Sequence, residues 1–173
     1  MTGCYTRGVS DAYGIPDNMF GEVPEEFFAM IGRIVMVTSF LELRVLDLLT
    51  ELEQTPQDVH AGKSGTDLIK GCRRRLGDYD PAFAAAAGAV LDRVRVALDQ
   101  RNAVVHSIWP APGVDSAYGW RPVRGGREPS WQPNKSTEVT GPGLRDIIAS
   151  SAAIVDDLDQ LRADAHGARR TTP

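Results

Sequence analysis

The residues of this chain whose types suggest chemistry lie in one short stretch, Arg101-Asn102-Ala103-Val104-Val105-His106. An arginine stays cationic at any physiological pH and presents a planar fork of donors that suits a phosphate in bidentate fashion. A histidine with an ordinary pKa of about 6.5 takes or gives a proton near neutrality. Side by side, the two can hold an anionic group and move a proton next to it with no metal ion. Asn102 adds an amide about one turn before His106. Taken alone, His106 has a plainer reading: a histidine at a helix end that complements the dipole or donates to a carbonyl.

The stretch sits near the end of a long helical pattern. Phe83, Ala87, Val90, Val94, Ala97, Arg101, Val104 and Ile108 recur at alternating spacings of four and three, the mark of a face packed against other helices. Arg101 therefore stands where an apolar residue belongs. A second row, Arg95, Asp99, Asn102 and His106, runs along a neighbouring polar face that should point outward. On a straight helix, five residues set Arg101 and His106 about 140° apart. Arginine's length or a frayed last turn before Pro110 would close that angle; the alternative is that Arg101 is purely structural, bound to Glu42, and that only His106 and Asn102 face solvent.

A matching anomaly lies on the first long helix, which should begin at Pro24 with Glu25 and Glu26 in its first turn. Its seam is Phe27, Ile31, Ile34, Thr38, Leu41, Val45, Leu48 and Leu52. A second stripe, Phe28, Val35, Glu42, Leu46 and Leu49, widens the apolar face, and Glu42 is the acid inside it. Opposite charges at inward positions of the two longest helices imply an ion pair, because either alone would cost several kcal/mol, of order 3 to 5. Glu42 is expected to orient Arg101.

Arginine, a polar residue, and histidine five positions after the arginine, late on the third long helix of a small helical chain, resemble the R-x(4-6)-H motif of the HEPN superfamily. That superfamily consists of small helical bundles that include metal-independent endoribonucleases, and the resemblance spans roughly residues 24 to 165. It implies an all-α, up-down bundle of four to five helices. It also implies RNA as substrate, with Arg101 holding the scissile phosphate, His106 moving the proton of the 2'-hydroxyl, and Asn102 positioning one or the other. Asp99 and Glu42 would support them. The product would be a 2',3'-cyclic phosphate, no cofactor or metal is called for, and two copies of the motif would meet across a homodimer interface. A role as toxin or defence protein, restrained by an antitoxin protein, follows from the same resemblance. One subfamily carries a tyrosine two residues after the histidine; Ile108 stands there, so nucleotide transfer onto that tyrosine is not carried over. The alternative is a catalytically silent module of the same type that binds a nucleotide, RNA or protein, and a third reading is a purely structural dimerisation bundle.

Composition sets bounds on these readings. At 173 residues the chain can bury one proper core, and 42% hydrophobic with 24% charged residues is ordinary for globular proteins. A net charge of -4 argues against broad, sequence-blind affinity for nucleic acid but leaves room for a local basic cleft. Cys4 and Cys72 form no metal-ligand spacing, and a reduced cytoplasmic setting is expected, without signal peptide. The most apolar run, Phe27 to Leu52, carries Arg33, Glu42, Arg44 and Asp47, which excludes a membrane span.

In chain order, residues 1 to 23 are expected to form a mobile arm, with Tyr5, Tyr13 and Phe20 as anchoring points. After a polar loop containing His60, a short helix from about Thr66 to Leu76, capped by Ser64 or Thr66, carries Lys70, Arg73, Arg74 and Arg75. This basic cluster, with Arg95, would guide RNA; a solvated helix face is the commoner explanation. The third helix is placed at 81 to 108. An insertion from about 109 to 140 contains Trp109, Trp120 and Trp131 and forms a short irregular hairpin or flap, its tryptophans anchoring it rather than stacking on bases. The last helix runs from about Pro142 to Ala165, and 166 to 173 form a disordered tail. Asp156, Asp157 and Asp159 lack the further ligands of a cation loop.

Overall fold

A computed structural model describes residues 10, 12–16, 24–106, 116–119 and 137–169. Four α-helices account for most of them: α1 (Glu25–Glu53), α2 (Gly65–Arg75), α3 (Pro81–Val105) and α4 (Gly141–Ala168). Short 3-10 turns, Gln57–His60 and Leu76–Asp78, lie between the first three. Two short strands, β1 (Ser116–Gly119) and β2 (Thr137–Thr140), pair antiparallel with Ser116 opposite Thr140 and Gly119 opposite Thr137. The chain is an all-α bundle with this pair inserted before α4. Trp109, Trp120 and Trp131, like Tyr5, Phe20, Cys4 and Ile108, lie outside the described residues; Tyr13 is exposed.

Local chemistry marks where each helix begins, and a side-chain cap does so for α2, α3 and α4. Pro24 precedes α1, whose first turn holds Glu25 and Glu26 against the positive end of the dipole. The Ser64 hydroxyl accepts from the Asp67 N–H (3.2 Å) and donates to the Asp67 carboxylate (2.7 Å), a reciprocal cap for α2. Asp80 accepts from Ala82 and Phe83 at the start of α3, with Pro81 as its first residue. Thr140 does the same for α4 through the Gly143 N–H. Gln54 ends α1 in the left-handed region, φ 55°.

The residue pairs between helices fix their directions. Against α1, α2 aligns Gly65 with Glu42, Gly71 with Leu49 and Arg75 with Glu53, so α1 and α2 run the same way and residues 54–64 carry the chain back. Helix α3 runs against both, with Arg73 bonded to Asp92 and Arg101 to Glu42. Helix α4 runs parallel to α1, from the Arg145–Glu26 pair to the Arg162–Asp47 pair. Up-down alternation therefore holds from α2 onward, and the first connection is a return loop.

This arrangement divides the interior. A large cluster joins Leu41, Val45, Leu48, Leu49 and Leu52 of α1 to Leu68, Ile69 and Cys72 of α2, Ala87, Leu91, Val94 and Leu98 of α3, and Ile154, Leu158 and Leu161 of α4. A small one holds Phe27, Met30, Ile34, Val104 and Leu144. Between them each long helix contributes a polar residue: Thr38 from α1, Arg101 from α3 and Ser151 from α4. The Thr38 hydroxyl donates to the Ile34 carbonyl (2.7 Å), whereas Ser151 Oγ and Arg101 Nε are buried without a hydrogen-bond partner among the described residues.

The short α2 also corrects the expected second stripe of α1. Leu49 is buried and Leu46 partly so, but Phe28 and Val35 are exposed, because α2 begins at the level of Glu42 and does not reach the N-terminal half of that face. The end of α4 differs as well. It continues to Ala168, whose carbonyl accepts from the Asp80 N–H (2.9 Å), and Arg169 bridges Tyr79. Residues 166–169, expected in a loose tail, are thus fastened to the start of α3.

Candidate functional site

Helix α3 carries the candidate residues, and its seam explains their setting. With Ala97 and Leu98 in the large cluster and Val104 in the small one, Arg101 enters between them and is only 23% exposed. Its Nη2 donates to Glu42 Oε1 at 3.1 Å, so the ion pair expected from the two misplaced charges forms between α1 and α3. Glu42 is itself partly buried at 34%. Its carboxylate rests against the first residue of α2: a Cβ on Gly65 would lie 2.8 Å from Glu42 Oε1 and 2.7 Å from Leu98 Cδ1. Glycine is what lets α2 approach this closely.

Around the pair opens a cleft of about 220 Å³ lined by Glu42, Ser64, Gly65, Thr66, Ile69, Arg95, Leu98, Asp99, Arg101 and Asn102. Its lining combines Ile69 and Leu98 with two arginines, two carboxylates, an amide and two hydroxyls. Arg95 and Asp99 are exposed and Asn102 half-buried, in keeping with an outward polar row. The contribution of Ser64, Gly65 and Thr66 was not legible from spacing, because tertiary packing alone brings the start of α2 beside α3. The run Ser64-Gly65-Thr66, short side chains at the cap and first turn of a basic helix, is the local trace it leaves in the sequence.

His106 is not in the lining of this cleft. It caps α3, is exposed, and its N–H still donates to the Asn102 carbonyl at 3.1 Å. The last turn therefore keeps its helical bond and does not fray toward Arg101, so the angle of about 140° between the two stands. The helix stops at Val105, three residues short of the expected 108.

The basic cluster on α2 is mostly occupied within the chain. Lys70 pairs with Asp67 (3.4 Å), Arg73 with Asp92 (2.8 Å) and Arg75 with Glu53 (3.0 Å). Arg74 is exposed and has no ion pair among the described residues. None of the four lines the cleft. Asp157 and Asp159 serve Arg93 and Arg44, and no cluster of metal-ligating side chains occurs among the described residues.

Two titratable groups that the sequence did not single out lie at the other end. His60, only 4% exposed, places Nε2 3.0 Å from Glu53 Oε2, while Lys63 Nζ donates to Nδ1 at 2.8 Å. Burial raises the Glu53 pKa, and the hydrogen bond from Arg75 with the charges of Arg75, His60 and Lys63 more than offsets it, leaving the carboxyl below its ordinary range. Asp47, an acid at a buried position of α1, is held by Arg44 (2.9 Å), Arg162 (3.5 Å) and Gln57. Cys72 is buried, its Sγ 3.7 Å from the Val45 carbonyl, and burial pushes its thiol up to about 12, far from a reactive thiolate.

No helix among the described residues is long and apolar enough to cross a membrane. No family model, curated protein or solved structure matches the chain.

Proposed function

We propose that the protein is a HEPN-type, metal-independent endoribonuclease whose cleft binds an RNA phosphate and whose proton transfer falls to His106. The observation that carries this reading is the cleft itself: Arg101, Asn102 and Arg95 converge in one cavity, and His106 stands exposed one turn past Asn102. Arg101 holds a phosphate oxygen and stabilises charge growing on it; the RNA provides its own nucleophile. Because His106 is outside the cleft of its own subunit, the complete site is formed by two copies of the chain, each presenting its α3 end to the other.

Incubation of the purified protein with mixed RNA in excess EDTA tests this. Cleavage should appear and fall by about 100-fold or more in His106→Ala, the usual size of a general acid–base contribution. Arg101→Ala should be equally damaging. Full activity in both folded variants, or a strict monomer at high concentration, rules the proposal out.

A second reading is favoured by one specific observation. Glu42 and Asp99 balance Arg95 and Arg101 in the lining, which makes the cleft formally neutral. A catalytically silent binding module has no need of stronger phosphate attraction, and it would show RNA or nucleotide retention without cleavage.

A further inference from the structure

We infer that Glu42 is a built-in competitor: its carboxylate occupies the place on Arg101 that a ligand phosphate takes, and the ion pair must open for the site to fill. The inference rests on the cleft being a phosphate site, as proposed above, and concerns how that site is regulated.

Three observations lead to it. Glu42 uses a single contact, Oε1 to Nη2 at 3.1 Å, and no partner for Nη1 occurs among the described residues. Among the described residues the guanidinium is engaged by one oxygen, whereas a phosphate can offer it two. Both members of the pair are partly open to solvent, at 23% and 34%, and an ion pair so placed is weak enough for a ligand to exchange. Lastly, the carboxylate is seated in the cleft rather than behind it, against Gly65 at the start of α2 and beside Leu98, where a negative group is favoured by the helix dipole. Once Glu42 swings out, the lining is left with Arg95 and Arg101 facing Asp99 alone, and a phosphate bound there meets net positive charge.

This reading and a plain orienting role for Glu42 predict opposite signs. If Glu42 only holds Arg101 in position, neutralising it loosens the arginine and weakens binding. If it competes, neutralising it strengthens binding. Titration of wild type and Glu42→Gln with inorganic phosphate, and with a short 2'-O-methyl oligoribonucleotide that cannot be cleaved, distinguishes them by calorimetry. The expected result is binding on the order of fivefold tighter in Glu42→Gln, the equivalent of one partly exposed ion pair. Adding Arg101→Gln should abolish the gain. Tightening toward the oligonucleotide alone assigns the site to a backbone phosphodiester, and tightening toward inorganic phosphate alone to a free phosphate; both support the competitor. Equal or weaker binding in Glu42→Gln overturns it.

A measurement on the wild-type chain guards against misfolding of the variant. The Nε–H resonance of Arg101, identified by its disappearance in Arg101→Lys, should shift on phosphate addition as Glu42 is displaced; an unmoved resonance at saturating phosphate overturns the inference. Absence of RNA cleavage alongside tighter phosphate binding in Glu42→Gln would remove the ribonuclease reading and leave the competitor standing.

Discussion

The two halves of the bundle are built to different standards. Around the C-terminal half of α1, four helices enclose one large cluster in which Leu41, Leu48, Leu91 and Val94 are fully buried. Around its N-terminal half, among the described residues, α1, α3 and α4 meet, and the buried cluster there holds Phe27, Met30, Ile34, Val104 and Leu144 with Ile31, Ile147 and Ile148 at its margin. The cause is the length of α2: eleven residues starting at the level of Glu42 cannot cover what lies before it. The candidate cleft opens at that boundary, and His106 is carried by the thinner half. Along α3 the larger and the smaller cluster follow one another, with Arg101 between them.

Truncating the core on either side should show the largest effects. Leu48→Ala is expected to cost about 3 to 4 kcal/mol and Leu144→Ala about 2, since a small cluster with open margins can close over the gap. Urea unfolding measures both, and equal costs would dissolve the distinction. Amide exchange sharpens it: the last turn of α3 and the first turns of α1 should open at a lower free energy than the middle of α3.

Erasing the ion pair between them comes next. Arg101 Nε is buried without a partner among the described residues, and such an atom costs about 1 to 3 kcal/mol. The double variant Glu42→Gln/Arg101→Met, which connects the two clusters with apolar volume, should therefore be more stable than wild type by about 1 kcal/mol while losing the proposed phosphate binding. A destabilised double variant would mean that the polar layer is needed for packing.

On the well-covered side, Glu53→Gln should cost about 1 kcal/mol at neutral pH by weakening bonds to Arg75 and His60. The folded-state pKa of Glu53 lies below its ordinary 4.5, so this contribution is fully present above that value and lost as pH falls through the folded pKa. Wild-type and variant stability curves should converge in acid, and parallel curves would refute the linkage. Smallest of all, Glu26→Gln breaks an exposed pair with Arg145 and should change stability by less than about 0.5 kcal/mol.

Much of this was readable before any coordinates. Glu42 and Arg101 stood out because each broke an apolar line, and a charge on a packed face needs a partner. Leu91 and Leu98 were missed for a related reason. One line of fours and threes describes a helix packed on one side, whereas α3 is enclosed by α1, α2 and α4 and buries a second line. Asp47 and His60 left no trace in the pattern because their partners, Arg162 and Gln57 for one, Glu53 and Lys63 for the other, come together through the return loop and α4. The same loop decided which half of α1 would be covered, and nothing in the periodicity of α1 encodes the length of α2.

The fastening of Ala168 and Arg169 to the Tyr79–Asp80 turn bears on how the chain is made. As it emerges from a ribosome, α1 and α3 appear first with their greasy inner sides bare, and the helix that closes over them arrives last. Until that strap is buckled at the α2–α3 corner, the nascent bundle keeps apolar surface open to water.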